Sequence, residues 1–398
     1  MPLDGWSYCS PVTIRHAGAT DLLDYQIAIW VNTSSLIAEG KLRSDGGDIR
    51  VVDSDDNTVL TYWLDTATIN RDRTRIWAKI PSIPVGCKTI FLYYGNASAT
   101  SLASGADTFL LFDDFDGSAI DTSKWTIADS TGWSVASGEL TGTSTTGRLQ
   151  SVSSFTAPIA CAAKIKAVTK PSTEMMLAGF WASTADHYGI GIKTTGENLY
   201  ANGTLSSLGD IIPSDMWMIA HVKTGATNQA EVEIETDLGT APHTVPYANA
   251  ISSEKVTLGK AYTDSGTGNA CDIRWDWLHV RKMIEPEPVV VPVYHVVDSA
   301  KIAHTLTAHT QHTLAQSARI SPYTGNGTLT GRVFTNGSIT PFAEVFLYEV
   351  SGALVDKTTA DSLGRYTFTG IDMGRQYVTL SHQVAYNAAV ADWLTPTA

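Results

Sequence analysis

The sequence predicts an all-β protein of tandem sandwiches, and three observations carry that prediction. Apolar residues alternate with polar ones in one short run after another, the two-residue period of a half-buried strand. Clusters of Gly, Asp, Asn and Ser separate the runs at short intervals, as tight reversals require. Charged residues reach only 17%, while 11 Trp and 15 Tyr suit pleated, packed surfaces.

Bulk properties bound the function. The chain has 398 residues, a length for two to four domains at about 150 residues each. A net charge of −13, from 27 Lys+Arg against 40 Asp+Glu, repels polyanions and excludes nucleic acid as a partner. No apolar stretch approaches the roughly 20 residues of a membrane span, so no membrane insertion is expected. The start, MPLDGWSYCSPVTI, shows neither a basic n-region nor an apolar h-region. That fits a protein delivered without a leader, or one whose leader lies outside this numbering. Cys9, Cys87, Cys161 and Cys271 form no CxxC, which argues against zinc. Two pairs, Cys9 with Cys87 and Cys161 with Cys271, could close disulfides; buried reduced thiols are the alternative.

The first domain is placed at residues 1–105. YQIAIWV (Tyr25–Val31) sets Tyr25, Ile27, Ile29 and Val31 against Gln26, Ala28 and Trp30, and RIWAKI (Arg75–Ile80) and TIFLYYG (Thr89–Gly95) repeat the period. SDGGD (Ser44–Asp48) and DSDDN (Asp53–Asn57) read as turns. Six ordered blocks, W-S-Y (Trp6–Tyr8), L-L-D-Y-Q-I (Leu22–Ile27), G-D-I-R-V-V-D (Gly47–Asp53), L-T-Y-W-L (Leu60–Leu64), I-W-A-K-I-P (Ile76–Pro81) and F-L-Y-Y-G-N (Phe91–Asn96), resemble the domain of unknown function 2341. That resemblance implies a microbial surface or phage setting, with a concanavalin-like module following.

The second domain is placed at residues 106–285. ACAAKIKA (Ala160–Ala167), MLAGFWAS (Met176–Ser183), YGIGIKT (Tyr188–Thr194), MWMIAHVKT (Met216–Thr224), AEVEIET (Ala230–Thr236) and KVTLGKAY (Lys255–Tyr262) read as antiparallel strands. Trp125, Trp217, Trp275 and Trp277 read as core. The opening D-D-F-D (Asp113–Asp116) and the closing W-D-W-L-H-V-R-K (Trp275–Lys282) resemble laminin-G-like, concanavalin-type jelly rolls, whose resemblance implies first and last strands side by side.

Residues 286–325 read as a Pro- and His/Thr-rich linker or stalk, with EPEPVVVPV (Glu285–Val293) extended. His304, His309 and His312 could meet on a three-fold axis around a transition metal, although their irregular spacing suits solvated stalk residues. Residues 326–398 hold L-T-G-R-V (Leu329–Val333), A-E-V-F-L-Y (Ala343–Tyr348) and T-A-D-S-L-G-R-Y-T-F (Thr359–Phe368), with turns at Gly352 and Gly364. These blocks resemble the carboxypeptidase-regulatory-like, transthyretin-type Ig-like fold. The ending YNAAVADWLTPTA (Tyr386–Ala398) resembles the tails of tailed-phage structural proteins.

Few residues offer chemistry. Glu231, Glu233 and Glu235 share one face of a strand, as the paired carboxylates of concanavalin-type glycosidases do, but Glu233 stands where that family has a central Asp and its aromatic subsite signature is absent, so a solvated face of an amphipathic strand is the plainer reading. Catalytic residues are therefore expected to be absent. Asp113, Asp114 and Asp116 are the candidate calcium ligands, against the plainer reading of an Asx-rich turn. Trp181, His187, Tyr188, Tyr200 and Asn202 cluster around predicted loops and are the candidate ligand-binding residues, since sugars need an aromatic face beside fixed polar groups. No phosphate loop or nucleophile elbow is present.

These readings predict a non-enzymatic virion protein of a tail, baseplate, fibre or decoration structure. Its expected partners are other virion proteins and host surface glycans, in a homo-oligomer that a stalk would make trimeric. The alternative is a secreted or cell-surface carbohydrate-binding protein, with a concanavalin-type glycoside hydrolase third.

Overall fold

In the computed structural model, residues 3–290 are described apart from 130–131, 184–185, 202–203, 226–227, 235–242, 246–253 and 261–268. Beyond them, 327–332, 334–335, 338–339, 344–349, 354–362, 365–371, 377–382 and 392–394 are described. Every strand pairing among the described residues is antiparallel, as predicted. Contacts divide the chain into two compact units, Met1–Val293 and Tyr294–Ala398.

The first unit opens with β1 (Tyr8–His16), β2 (Leu22–Val31), β3 (Arg50–Val52), β4 (Tyr62–Leu64), β5 (Thr74–Ile83) and β6 (Gly86–Tyr94). One sheet runs β1-β6-β3 and the other β2-β5-β4. Tyr25, Ile27, Ile29 and Val31 of β2 fill the space between them with Ile14, Ile76 and Leu92, so the alternation expected in Tyr25–Val31 holds. A short helix, α1 (Thr33–Ala38), follows β2, where the Asn32 side chain accepts the Ser35 amide at 3.0 Å.

A second short helix, α2 (Gly105–Thr108), leads into a larger sandwich of β7 (Leu111–Asp113), β8 (Trp125–Asp129), β9 (Trp133–Ala136), β10 (Glu139–Ser144), β11 (Arg148–Phe155), β12 (Ile159–Thr169) and β13 (Met175–Ser183). It continues through β14 (Asp186–Lys193), β15 (Gly196–Ala201), β16 (Thr204–Gly209), β17 (Trp217–Thr224), β18 (Asn228–Ile234), β19 (His243–Val245), β20 (Glu254–Lys260) and β21 (Ala270–Lys282). Among the described residues an eight-stranded sheet runs β19-β18-β17-β12-β21-β10-β9, with β7 also on β21. A seven-stranded sheet, β16-β15-β14-β13-β20-β11-β8, faces it in a jelly-roll-like arrangement. Asp113 opposes Leu278 and Leu111 opposes Val280, so first and last strands do lie side by side. Trp125 and Trp275 enter the core, together with Leu149, Phe180, Tyr188 and Leu258.

The two sandwiches pack against one another. Trp77 of β5 and Trp63 of β4 meet Phe109, Phe112, Ala162, Ile219 and Trp277 in an apolar cluster. His279 lies within it, 1% exposed, its ring stacked 4.0 Å from that of Phe109 and 5.5 Å from that of Trp277. The Gln26 side-chain oxygen accepts the Lys282 amide at 2.9 Å, and the Lys282 ammonium donates to the Leu23 carbonyl at 2.8 Å.

One expectation changes here and another is decided. Val289–Val290, expected in an extended linker, forms β22, which pairs with β1 through Ile14 and Arg15. Glu287 of the same stretch pairs with Arg281 at 2.9 Å and Lys223 at 3.2 Å. The backbone is extended as Pro favours, but a sheet edge with unpaired amides was available to receive it. Of the two readings the cysteines allowed, the reduced one holds: all four are free, Cys161 and Cys271 buried. Cys9 opposes Tyr93 while Cys87 opposes Arg15, at opposite ends of one strand pair. Cys161 opposes Val280, nine residues along β21 from Cys271. Neither pair meets the approach of about 7 Å between Cα atoms that a disulfide demands.

The second unit holds β23 (Gly327–Arg332), β24 (Phe334–Thr335), β25 (Ser338–Ile339), β26 (Glu344–Glu349), β27 (Leu354–Thr359), β28 (Arg365–Ile371), β29 (Tyr377–His382) and β30 (Asp392–Leu394). β23 pairs with β28, and β27-β26-β29-β30 form a sheet. Asp361 secures the approach to β28, its carboxylate accepting the Arg365 amide at 2.9 Å and guanidinium at 3.0 Å. Gly352 and Gly364 lie outside the described residues, as do His304, His309 and His312.

Candidate functional site

Alternation along β13 sends Phe180 into the core and Trp181 to the outer face of the seven-stranded sheet. On neighbouring β14, Tyr188 points inward and His187 outward, and Trp181 stands directly opposite His187. Their rings lie 5.1 Å apart at 36°. The Arg148 guanidinium, from β11, reaches the Trp181 ring at 5.2 Å. Two side chains of one hairpin and a third from β11 thus come together on the face opposite the core, where Trp181 is 8% exposed and His187 is, like Tyr188, fully buried.

The surroundings are polar and flat. The Gln150 amide donates to the Thr257 hydroxyl at 3.1 Å, and the Asn198 amide donates to Glu174. Gly179 opposes Gly189 so closely that a Cβ on Gly179 would sit 2.5 Å from the Tyr188 carbonyl oxygen. Only glycine serves there, and the floor carries no side chain of its own. The Met176 side chain occupies part of that floor, its sulfur 2.9 Å from where the Gly179 Cβ would stand. Thr257 and Asn198 are buried although they lie opposite the core.

The five candidate ligand residues divide accordingly. Trp181 and His187 come together. Tyr188 is a correction: its ring is wholly buried among core residues, where burial also pushes its phenol up, so it presents no face to a ligand. The strand begins at Asp186, two residues before its expected start at Tyr188, so Tyr188 lies within it and alternation turns it inward. Tyr200 lies on β15 opposite Gly189. Asn202 lies outside the described residues.

Asp113 is likewise corrected as a calcium ligand. Its carboxylate accepts the Trp125 indole N–H at 2.6 Å, the Phe115 amide at 3.2 Å and the Lys124 ammonium at 3.3 Å. The group is occupied in holding the chain entry to the sandwich. Asp114 and Asp116 are exposed, and repulsion from Asp114 raises the Asp116 carboxyl. Among the described residues, no three His, Cys, Asp or Glu side chains stand where they could hold a metal ion.

Glu231 opposes His221 and Glu233 opposes Ile219 on the eight-stranded sheet, while Glu235 lies outside the described residues. Trp217 and Trp277, expected in the core, are on the outer face of that sheet. Trp277 joins the apolar cluster between the sandwiches, and Trp217 is partly exposed between two lysines. A register shift at Lys164/Ile165 inverts the alternation of β21 between Trp275 and Trp277. No sequence signal marks a bulge of this kind.

The family described as "Domain of unknown function (DUF2341)" matches residues 45–128, so the chain carries a DUF2341-like domain. No curated protein matches the chain. Similar solved structures include a glycosyl hydrolase family protein of Mycobacterium fortuitum, at 16% identity and a TM-score of 0.35, covering 43% of this chain and 99% of that one. A glycosyl hydrolase family 16 protein of Mycobacterium smegmatis has 16% identity and a TM-score of 0.34, with 43% and 99% covered. An endo-β-1,3-glucanase of Pyrococcus furiosus has 11% identity and a TM-score of 0.34, with 44% and 94% covered. These are likenesses of β-sandwich fold. The expectation that the chain is not an enzyme is withdrawn, the names of these similar structures being those of glycosyl hydrolases and a glucanase. The viral terms are withdrawn as well, since none of these findings supports them. No helix among the described residues is long and apolar enough to cross a membrane.

Proposed function

We propose that this is a secreted or cell-surface carbohydrate-binding protein that takes glycan on the outer face of its seven-stranded sheet. The observation that carries the reading is the convergence of Trp181, His187 and Arg148 away from the core. A pyranose presents a flat C–H face to an aromatic ring and equatorial hydroxyls to neighbouring polar groups. In this reading the Trp181 ring, 8% exposed, is the aromatic face and Gln150, Thr257 and Asn198 are the polar groups, so binding requires the ring to be uncovered. In this reading the C-terminal unit is a transthyretin-type Ig-like accessory module.

Titration calorimetry with a panel of neutral oligosaccharides, β-1,3-glucan oligomers first, tests the proposal. Saturable binding that weakens about tenfold or more in Trp181→Ala, a loss of about 1.4 kcal/mol, is expected. No binding at millimolar sugar, or equal binding by the folded variant, would end it. Release of reducing ends measured in the same samples reports any hydrolysis of the bound sugar.

A further inference from the structure

We infer that the outer face of the eight-stranded sheet carries a second sugar site, at Trp217, that takes a carboxylate-bearing pyranose. Trp217 opens β17, is partly exposed, and stands directly opposite Lys166 of β12. The Lys166 ammonium lies 4.7 Å from the Trp217 ring centroid and that of Lys164, two residues earlier on the same face, lies 5.2 Å away. The two lysines differ in kind. Lys164 is fixed by Asp276 at 2.7 Å, with its side chain 6% exposed. Lys166 is partly exposed and forms no ion pair among the described residues.

In a chain of net charge −13, an ammonium without a carboxylate partner among the described residues, beside a partly exposed indole, is a local exception to the overall field. An aromatic ring with a cation at its edge recognises two features at once: an apolar sugar face and a negative charge on the same ring. A hexuronate has both, whereas a neutral hexose satisfies only the indole and an acidic peptide only the lysine. A sugar stacked on Trp217 would place its carboxylate within reach of Lys166, with Lys164 held in reserve by Asp276. The bland explanation is that the lysine stems merely cover the indole. That explanation predicts no ligand.

The site uses a different sheet and different residues from those of Trp181, so either reading can fail alone. The experiment is titration of the full chain with trigalacturonate, laminaritriose and a triglutamate peptide. Trigalacturonate is expected to bind about tenfold or more tighter than either control, and Trp217→Ala and Lys166→Ala each to weaken it about tenfold. Lys166→Arg and Trp217→Phe should retain most of the affinity, 0.5 M NaCl should weaken it, roughly by the screening expected at that ionic strength, and Trp181→Ala should leave it unchanged. Melting curves confirm that each variant folds. Absence of trigalacturonate binding, equal binding of triglutamate, or undiminished binding by folded Trp217→Ala and Lys166→Ala would overturn the inference.

Discussion

His279 shows how much one buried ring can decide. Neither of its ring nitrogens has a hydrogen-bond partner, and Phe109, Trp277, Trp77 and Trp63 surround it. Burial, reinforced by the charges of Arg281, His221 and Arg75, holds its pKa well below 6.5, so the folded protein keeps it neutral. The unfolded chain protonates it below pH 6.5 and therefore binds more protons there, so stability falls as pH drops from 6.5 toward the folded value. The slope of this one group is at most about 1.4 kcal/mol per pH unit. Urea unfolding at pH 7 and pH 5 should show a smaller acid loss in His279→Phe than in the native chain; equal losses would remove the ring from the account. Asp113 makes the complementary case. Removing its carboxylate leaves the Trp125 indole N–H and the Lys124 ammonium without this acceptor, and Asp113→Ala should cost about 1–3 kcal/mol by the same assay. A calcium role would instead appear as a melting temperature that rises with calcium in the native chain and not in the variant.

At the scale of elements, the faces of strands explain what was legible. In β2 the period-two pattern of Tyr25, Ile27, Ile29 and Val31 predicted the core face, and the pattern held because one sheet face meets one core. The opposite face, with Gln26 and Ala28, is covered by the second sandwich, through contacts as distant in sequence as Lys282, 256 positions from Gln26. Local alternation carries no trace of such a partner. In β21 the bulge reverses the pattern, which is why Trp275 was read correctly and Trp277 was not. The Trp181–His187 pairing was legible as a cluster because both residues flank one hairpin. Arg148 was not, since it arrives from β11. Trp77→Ala should lower the stability of the joined sandwiches by about 3–5 kcal/mol, the range for a buried aromatic, in denaturant unfolding; a loss under 1 kcal/mol would show that the cluster does not hold them.

At the scale of the molecule, residues 3–290 behave as one body with two cores. β22 pairs with the first sandwich after the chain has completed the second, and the Glu287 carboxylate links Arg281 to Lys223. The two sandwiches should therefore unfold together in calorimetry, in one transition. The central claim is that the outer sheet face bearing Trp181, a ring 8% exposed, binds sugar. The indole N–H resonances of the 11 tryptophans provide the most direct test. Titration with the tightest-binding neutral oligosaccharide should move the Trp181 signal, assigned by Trp181→Phe, while those of buried Trp125 and Trp275 stay in place. A Trp181 signal that stays fixed at saturating sugar would contradict the claim.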